Sequence, residues 1–141
     1  MTTEERRREI LAQPSAMKEV YGPDEDTVNG HAIVRGPDRW HLMYSPEPGG
    51  RNTLIGHATS DDLIIWTKQE PILRSGVPGD CDGQEIADCS VVEHERRWYM
   101  VYQCTPARAA SRRFALAVSD DLWHWEKLSS DGSHVFTPDP G

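Results

Sequence analysis

Two segments of the chain have nearly the same sequence: ATSDDLIIW at residues 58–66 and AVSDDLWHW at residues 117–125. Their shared residues recur at a spacing of 59. Further upstream, RWHLMYS at residues 39–45 matches RWYMVYQ at residues 97–103 at a spacing of 58. The two pairs of segments share nine identities in nearly constant register. The chain therefore contains an internal repeat.

Each copy of the repeat has the pattern of several short strands. HAIVR at residues 31–35 and CSVVE at residues 89–93 are short and β-branched, and each precedes a segment that alternates large side chains with others. A third strand, a turn and a fourth strand follow. About four short antiparallel strands make one blade of a β-propeller. We therefore predict an all-β fold with two four-stranded propeller-type blades, blade A at residues 29–74 and blade B at residues 86–128.

The N-terminal segment, residues 1–28, is expected to be helical at its start. Thr2 or Thr3 can cap a helix there, acidic residues occupy the first turn, and Pro14 ends it. No stretch resembles a linker between domains. We predict one domain over residues 1–141.

Composition excludes several functional classes. The net charge of −8 is opposite to that of a typical nucleic-acid-binding protein. No apolar run approaches the roughly 20 residues that span a bilayer, and the N-terminus lacks the apolar region of a signal peptide. The three cysteines have no CxxC spacing, which argues against a disulfide framework or a zinc site. We predict a cytoplasmic protein that binds neither nucleic acid nor membrane.

Two blades alone do not close a propeller, because closed rings have roughly four to eight blades. The faces of such repeat units must be buried by neighbouring units. We therefore predict that oligomerisation completes the ring, most simply as a homodimer or another even-bladed assembly.

The strands and turns of the repeat resemble the five-bladed β-propeller glycoside hydrolases of the furanosidase type. These are the arabinanase/xylosidase, invertase/levansucrase and mannoside-phosphorylase families, whose blades commonly read DPSVV…DGRWYMVYT…IGLATSDDLIHW. The resemblance extends from residue 29 to about residue 127. It implies a central funnel lined by the first strand of each blade, with an Asp at the start of certain strands as a catalytic carboxylate.

Asp88 falls at that position of blade B, in IADCSVV. The matching position of blade A is Gly30, and the Glu that the resemblance implies in a further blade has no counterpart in the two repeats, so two of the three expected carboxylates are missing. Glycoside hydrolysis uses two carboxyl groups. Glu85 and Asp82 of the same loop, or Asp88 of a second subunit, are the candidates for the partner. His31, at the start of the first strand, is a further candidate for acid/base catalysis.

Other residues are candidates for substrate binding or for a structural role. The substrate-binding candidates are Tyr44, Tyr102 and Trp123, whose rings can stack on a sugar, together with Asp82 of the acidic loop and His57, which takes the place of Leu116 of the second repeat. His41 is expected at the surface. The paired acids at residues 61–62 and 120–121 are interpreted as turn caps, because the repeat conserves their place in a turn. The acidic stretch GDCDGQEIAD at residues 79–88 has enough carboxylates to be a candidate site for calcium. A solvated acidic turn is the favoured interpretation of this stretch, so no metal is predicted.

The sequence is consistent with three functions. The first is an enzyme that acts on a glycosidic bond of a carbohydrate by carboxylate chemistry. The second is a biosynthetic cyclase, isomerase or lyase on the same scaffold, which uses Asp88 and His31 on a small-molecule substrate. The third is a non-catalytic glycan-binding or assembly module.

Overall fold

The computed structural model describes residues 1–12, 28–47, 51–108, 110–129 and 136. Its elements are α1 (Thr3–Ala12), β1 (Val28–Arg35), β2 (Trp40–Pro46), β3 (Leu54–Ser60), β4 (Thr67–Arg74), β5 (Glu85–His94), β6 (Arg97–Thr105), β7 (Arg113–Ser119) and β8 (Glu126–Lys127). The strands form two four-stranded antiparallel sheets in the orders β1-β2-β3-β4 and β5-β6-β7-β8. The sheets are blades A and B, and the prediction of two antiparallel blades with a short helix is confirmed.

The two blades share a β-bulge at the same place in their first strands. In β1 the pairing with β2 shifts between Asn29 and His31, so that Gly30 is bulged, and φ of Gly30 is +44°. In β5 the shift falls between Ala87 and Cys89, and φ of Asp88 is +39°. Gly30 and Asp88 are therefore structural equivalents, as the spacing of 58 predicts.

The two SDDL turns have the same hydrogen bonds. Ser60 Oγ accepts from the N–H groups of Asp62 and Leu63, and Asp62 Oδ1 accepts from the N–H groups of the next residues, Ile64 and Ile65. Leu63 has φ of +66°. The copy at residues 119–124 repeats all four bonds, and its leucine has φ of +69°. The interpretation of these acidic pairs as part of a structural turn is confirmed.

Each blade has two faces, formed by alternate residues of its strands. The front face carries the even-numbered residues of the second strand, which are Trp40, Leu42 and Tyr44 in blade A and Trp98, Met100 and Tyr102 in blade B. The back face carries the odd-numbered residues, which are His41, Met43 and Ser45 in blade A and Tyr99, Val101 and Gln103 in blade B.

The hydrophobic core lies between the back face of blade A and the front face of blade B. Met43 and Ile55 from blade A join Met100, Tyr102 and Leu122 from blade B in one buried cluster. Leu122 packs on the β1–β2 hairpin, because a Cβ atom at position 36 in that hairpin would lie 2.9 Å from Leu122 Cδ1. The two sheets thus stabilise each other by burying one face apiece.

Helix α1 begins with a capping box. Thr2 Oγ1 accepts from the N–H of Glu5, and the Glu5 carboxylate accepts from the N–H of Thr2 at 2.7 Å. Arg7 forms an ion pair with Asp62, so the helix lies against the turn of blade A. Within the described residues, no helix is long and apolar enough to span a membrane. The rest of the predicted helical segment, residues 13–27, lies outside the described residues.

We predict that Asp62→Ala lowers the free energy of unfolding by about 1–2 kcal/mol, because two backbone N–H groups of the turn lose their acceptor. The control is Asp61→Ala, since the Asp61 side chain is exposed, and its effect is expected to stay within about 0.5 kcal/mol. Urea denaturation measures both. Equal effects of the two substitutions would contradict the structural role of Asp62.

Candidate functional site

A cavity of about 400 Å³ lies where the first strands of the two blades begin. It is lined by Asn29, Gly30, Glu47, Asn52, Glu85, Ala87, Asp88, Gln103, Cys104, Thr105 and Arg112. Its volume falls within the range of about 300–1,000 Å³ that is usual for ligand sites. The cavity brings together two of the predicted catalytic residues, Asp88 and Glu85.

Asp88 is held at the cavity by the bulge of β5 and by contacts with blade A. Its backbone N–H donates to Ser45 Oγ, a fully buried hydroxyl on β2, at 2.7 Å. Two residues earlier, the N–H of Ile86 donates to the backbone oxygen of Asn52. The start of β5 is therefore anchored to the neighbouring blade, which sets the position of the Asp88 carboxylate.

Gly30 leaves room for that carboxylate. A Cβ atom at position 30 would overlap Asp88 Oδ1 and would lie 2.8 Å from Asp88 Cα. The positive φ of Gly30 also favours glycine. The resemblance implies a carboxylate at position 30 of the first blade. This chain has Gly30 there instead, and Asp88, the equivalent residue of the second blade, packs against it.

Glu47 provides a third carboxylate, at the end of β2. It is half-buried, and its Oε1 accepts from the side-chain amides of Asn29 and Asn52. These two donors connect the start of β1 with the β2–β3 loop. They hold the Glu47 side chain at the cavity wall with Oε1 engaged.

The remaining polar side chains include one cation. Arg112 precedes β7, and its Nη1 donates to Gln103 Oε1 at 3.1 Å. Three carboxylates therefore share the cavity with a single guanidinium group. The described lining therefore has three acidic side chains and one basic side chain, which suits a ligand rich in hydroxyl donors or a transition state that develops positive charge.

Two of the predicted substrate-binding residues meet each other outside this cavity. Asp82 is fully buried, accepts from the Tyr102 hydroxyl at 3.1 Å and forms an ion pair with Lys127 at 2.6 Å. Lys127 also donates to the backbone oxygen of Arg74. Burial and the neighbouring Asp82 charge raise the pKa of Tyr102. This cluster ties β8 to the loop between the blades.

Two more candidates, His57 and Trp123, belong to a hydrogen-bonded network between the blades, in which the imidazoles of His41 and His57 are buried. His57 Nε2 is 2.9 Å from His41 Nδ1, and His41 Nε2 is 2.9 Å from Asp38 Oδ1. Trp123 donates from blade B to Asp38 Oδ2 at 3.0 Å and packs edge-on against both imidazoles. The prediction that His41 lies at the surface is wrong, because the β1–β2 hairpin and Trp123 bury it completely.

The network shifts the ionisation of two of its members. Burial, followed by the neighbouring His41, lowers the pKa of His57 to about 4. Burial acts to raise the pKa of Asp38, but hydrogen bonds from His41 and Trp123 outweigh it and lower that pKa to about 2. At neutral pH the network therefore has a neutral His57 and an ionised Asp38.

Tyr44 and His31, which are neighbours across β1 and β2, are not part of the cavity lining. The Tyr44 ring is buried against Gly56, where a Cβ atom would lie 2.6 Å from two ring carbons. His31 is exposed. The structure therefore separates His31 from the cavity that holds Asp88 and Glu85.

The three thiols are buried and free. Burial raises the pKa of Cys89 and of Cys104 to about 12, and it also raises that of Cys81. Thiols in this state are poor nucleophiles. Among the described residues, no group of three or more His, Cys, Asp or Glu side chains is arranged to hold a metal ion, and the acidic stretch with Asp80 and Asp82 is one of the segments described.

Six polar residues of the cavity were not among the predicted site residues: Asn29, Glu47, Asn52, Gln103, Thr105 and Arg112. A topological signal could have identified three of them. In an antiparallel blade, the loop between the second and third strands lies at the same end as the start of the first strand. Glu47 and Asn52 belong to the β2–β3 loop of blade A, and Arg112 belongs to the β6–β7 loop of blade B.

No family model matches the chain. Over 60 residues it is 38% identical to an insoluble beta-fructofuranosidase isoenzyme of Arabidopsis thaliana, a match over 39% of this chain and 10% of that protein. Among solved structures, it is similar to the GH32 beta-fructofuranosidase of Bombyx mori, with 25% identity and a TM-score of 0.61 over 84% of this chain and 26% of that one. The fold is that of the propeller glycoside hydrolases.

Two further structures agree with this fold. A thermostable family-43 glycoside hydrolase has 15% identity and a TM-score of 0.60, with 77% of this chain and 35% of that chain covered. An endo-arabinase from Bacteroides thetaiotaomicron has 18% identity and a TM-score of 0.58, with 71% and 34% covered. The resemblance seen in the sequence is thereby confirmed. The chain spans about a third or less of the length of these relatives.

We predict that stability falls as the pH is lowered from about 6.5 to about 4, because unfolded His57 binds a proton that the folded protein disfavours. The slope from His57 approaches about 1.4 kcal/mol per pH unit. His57→Leu, which copies Leu116 of blade B, is expected to flatten this slope. His94→Leu is the control, since His94 is exposed. Urea denaturation across this pH range would contradict the assignment if both variants kept the wild-type slope.

We also predict that Lys127→Met destabilises the protein by about 3–5 kcal/mol, because it leaves the Asp82 charge buried without its ionic partner. Adding Asp82→Asn removes that charge while keeping an acceptor for Tyr102, and is expected to restore part of the loss. Denaturant unfolding of the two variants and of Asp82→Asn alone measures the coupling. Strictly additive effects would show that the pair is not coupled.

Proposed function

We propose that the protein is a carbohydrate-active enzyme that acts on a glycosidic bond, with its active site in the cavity at the start of β1 and β5. The observation that carries the proposal is the placement of Glu47, Glu85 and Asp88 around one cavity of ligand size. Hydrolysis of a glycoside requires one carboxyl group to protonate the leaving oxygen and another to act as base or nucleophile. The cavity supplies three.

The roles follow from how each carboxylate is held. Asp88 is fixed by the bulge and by Ser45, so it suits the base or the group that stabilises the positive transition state. Glu85 and Glu47 are the two candidates for the partner carboxyl group. Glu47 Oε1 is already engaged by two amides, so its interaction with a ligand would use Oε2. Protonation at a substrate oxygen is therefore assigned first to Glu85.

The rest of the lining suits a sugar. Amides accept and donate at once, and a guanidinium group presents several donors, so Asn29, Asn52, Gln103 and Arg112 match a ring of hydroxyl groups. The similar proteins are named as beta-fructofuranosidases and an endo-arabinase. We therefore propose a furanoside as the substrate class.

A second candidate function is that of a glycan-binding module, which binds its ligand without cleaving it. Gly30 favours it, because the first blade lacks the carboxylate that the resemblance implies, and the Asp88 carboxylate packs in its place. The cavity does not favour the biosynthetic acid/base enzyme that would use Asp88 and His31 together, since His31 is exposed and is not part of the described cavity lining.

The proposal also includes the cellular location and the oligomeric state of the enzyme. The three free thiols are compatible with a reducing compartment, which supports the predicted cytoplasmic location. The exposed outer faces of the blades support the predicted homo-oligomer. The net charge of −8 is consistent with a protein that does not bind nucleic acid.

We predict that Asp88→Asn lowers the rate of aryl-furanoside cleavage by at least about 100-fold, because the neutral amide can neither act as base nor stabilise positive charge. Asp61→Asn is the matched control, since it removes an exposed carboxylate outside the cavity. A panel of aryl arabinofuranosides, xylosides and fructofuranosides, with oligosaccharide binding by calorimetry, provides the readout.

Three results are distinguishable. Cleavage that is lost in Asp88→Asn and kept in Asp61→Asn supports the enzyme. Binding without cleavage in the wild type supports the glycan-binding module. Cleavage that survives Asp88→Asn unchanged would overturn the assignment of the site.

A further inference from the structure

The chain has a second pair of sheet faces of the same kind as the pair that forms the interface between its blades, and this second pair is exposed. Blade B buries its front face on the back face of blade A. Because the blades are repeats, blade A has a front face of the same kind, and blade B has a back face of the same kind. Neither is covered by another blade within the described residues, and the exposure of the residues at five positions supports this.

The back face of blade B is apolar and open. Val101, Phe114 and Phe136 are 38%, 37% and 64% exposed, and the two phenylalanine rings stack with their centroids 6.1 Å apart. Phe114 and Phe136 pair across β7 as Ile55 and Leu73 pair across β3 and β4. In blade A the residues at these three positions are Met43, Ile55 and Leu73, which are at most 5% exposed in the core.

The front face of blade A is the complementary surface. Ile33 is 49% exposed and Leu63 is 39% exposed. Their equivalents in blade B are Val91, which packs against the core, and Leu122, which is completely buried under the β1–β2 hairpin. Leu63 has the same turn and nearly the same φ as Leu122, but no hairpin in the described part of the chain covers it, and it is 39% exposed.

We propose that the back face of blade B docks on the front face of blade A of a second copy of this chain. The contact continues the inter-blade interface from one molecule into the next. Leu63 of the second copy would then lie near the β5–β6 hairpin, as Leu122 lies under the β1–β2 hairpin. Phe114 and Phe136 would take the places that Ile55 and Leu73 have in the core.

A second copy is the occupant that the structure favours, because the chain contains both complementary surfaces and already joins such a pair between its own blades. The contact is head-to-tail, since it joins two different faces. Two copies with two such contacts would close a four-bladed ring, and β1 and β5 of each copy would face the same axis. The proposal concerns the faces only, and it stands whether or not the cavity cleaves a glycoside.

The test uses substitutions that block one face at a time. Phe114→Arg blocks the back face of blade B, and Ile33→Arg blocks the front face of blade A. Val77→Arg is the matched control, since Val77 is 66% exposed and lies in the loop between the blades, on neither face. Sedimentation velocity over a concentration series gives the mass of each purified chain, and circular dichroism with urea unfolding verifies that each variant is folded.

The expected result is an oligomer for the wild type and for Val77→Arg, and a shift of each blocked variant to smaller species. An equimolar mixture of Phe114→Arg and Ile33→Arg is then decisive, because each variant keeps the face that the other needs. We expect a heterodimer with one intact contact. A wild type that is monomeric at every concentration, or oligomeric variants unaffected by either substitution, would overturn the proposal. Blocked variants that stay monomeric when mixed, even at the highest concentration of the series, would also overturn it, because the mixture retains one intact pair of complementary faces.

Discussion

The structure depends on the burial of one sheet face against another. Each four-stranded sheet has two faces, and among the described residues helix α1 buries only Ile10, whereas the two sheets provide most of the core. The core therefore forms where Met43 and Ile55 of blade A meet Met100 and Tyr102 of blade B. Removal of this apolar surface from water is the main favourable contribution to folding.

The cavity is a direct consequence of the same contact. Packing of the sheets brings the start of β5 against β2, so that the backbone of Asp88 reaches Ser45 and the carboxylate lies over Gly30. The loops that follow β2 and β6 lie at the same end of the blades, and they add Glu47 and Arg112 to the wall. A shared bulge in two repeated strands thereby becomes an asymmetric site, with a carboxylate on one side and a glycine on the other.

The polar network between the blades lies where the two copies of the repeat differ in sequence. Blade A has His41 and His57 on its back face, where blade B has Tyr99 and Leu116. The two imidazoles are stacked 5.2 Å apart and connect through Asp38 to a tryptophan of the other blade. Buried polar groups are tolerated when they are hydrogen-bonded, and such networks favour one specific arrangement over others. The network therefore fixes how the two sheets are aligned, while the apolar core supplies most of the stability.

The sequence alone determined the two blades, their turns and the place of Asp88, because these depend on local patterns. Strand alternation, the SDDL turns and the spacing of 58 to 59 all act within a few residues or repeat along the chain. Only the tertiary structure decided which polar residues share the cavity and which are buried elsewhere. Tyr102 and His57 have the same appearance in the sequence as exposed ligand-binding residues, and their burial depends on contacts with distant residues, Asp82 and Trp123. Such contacts arise when two sheet faces pack, and no local pattern in the chain encodes them.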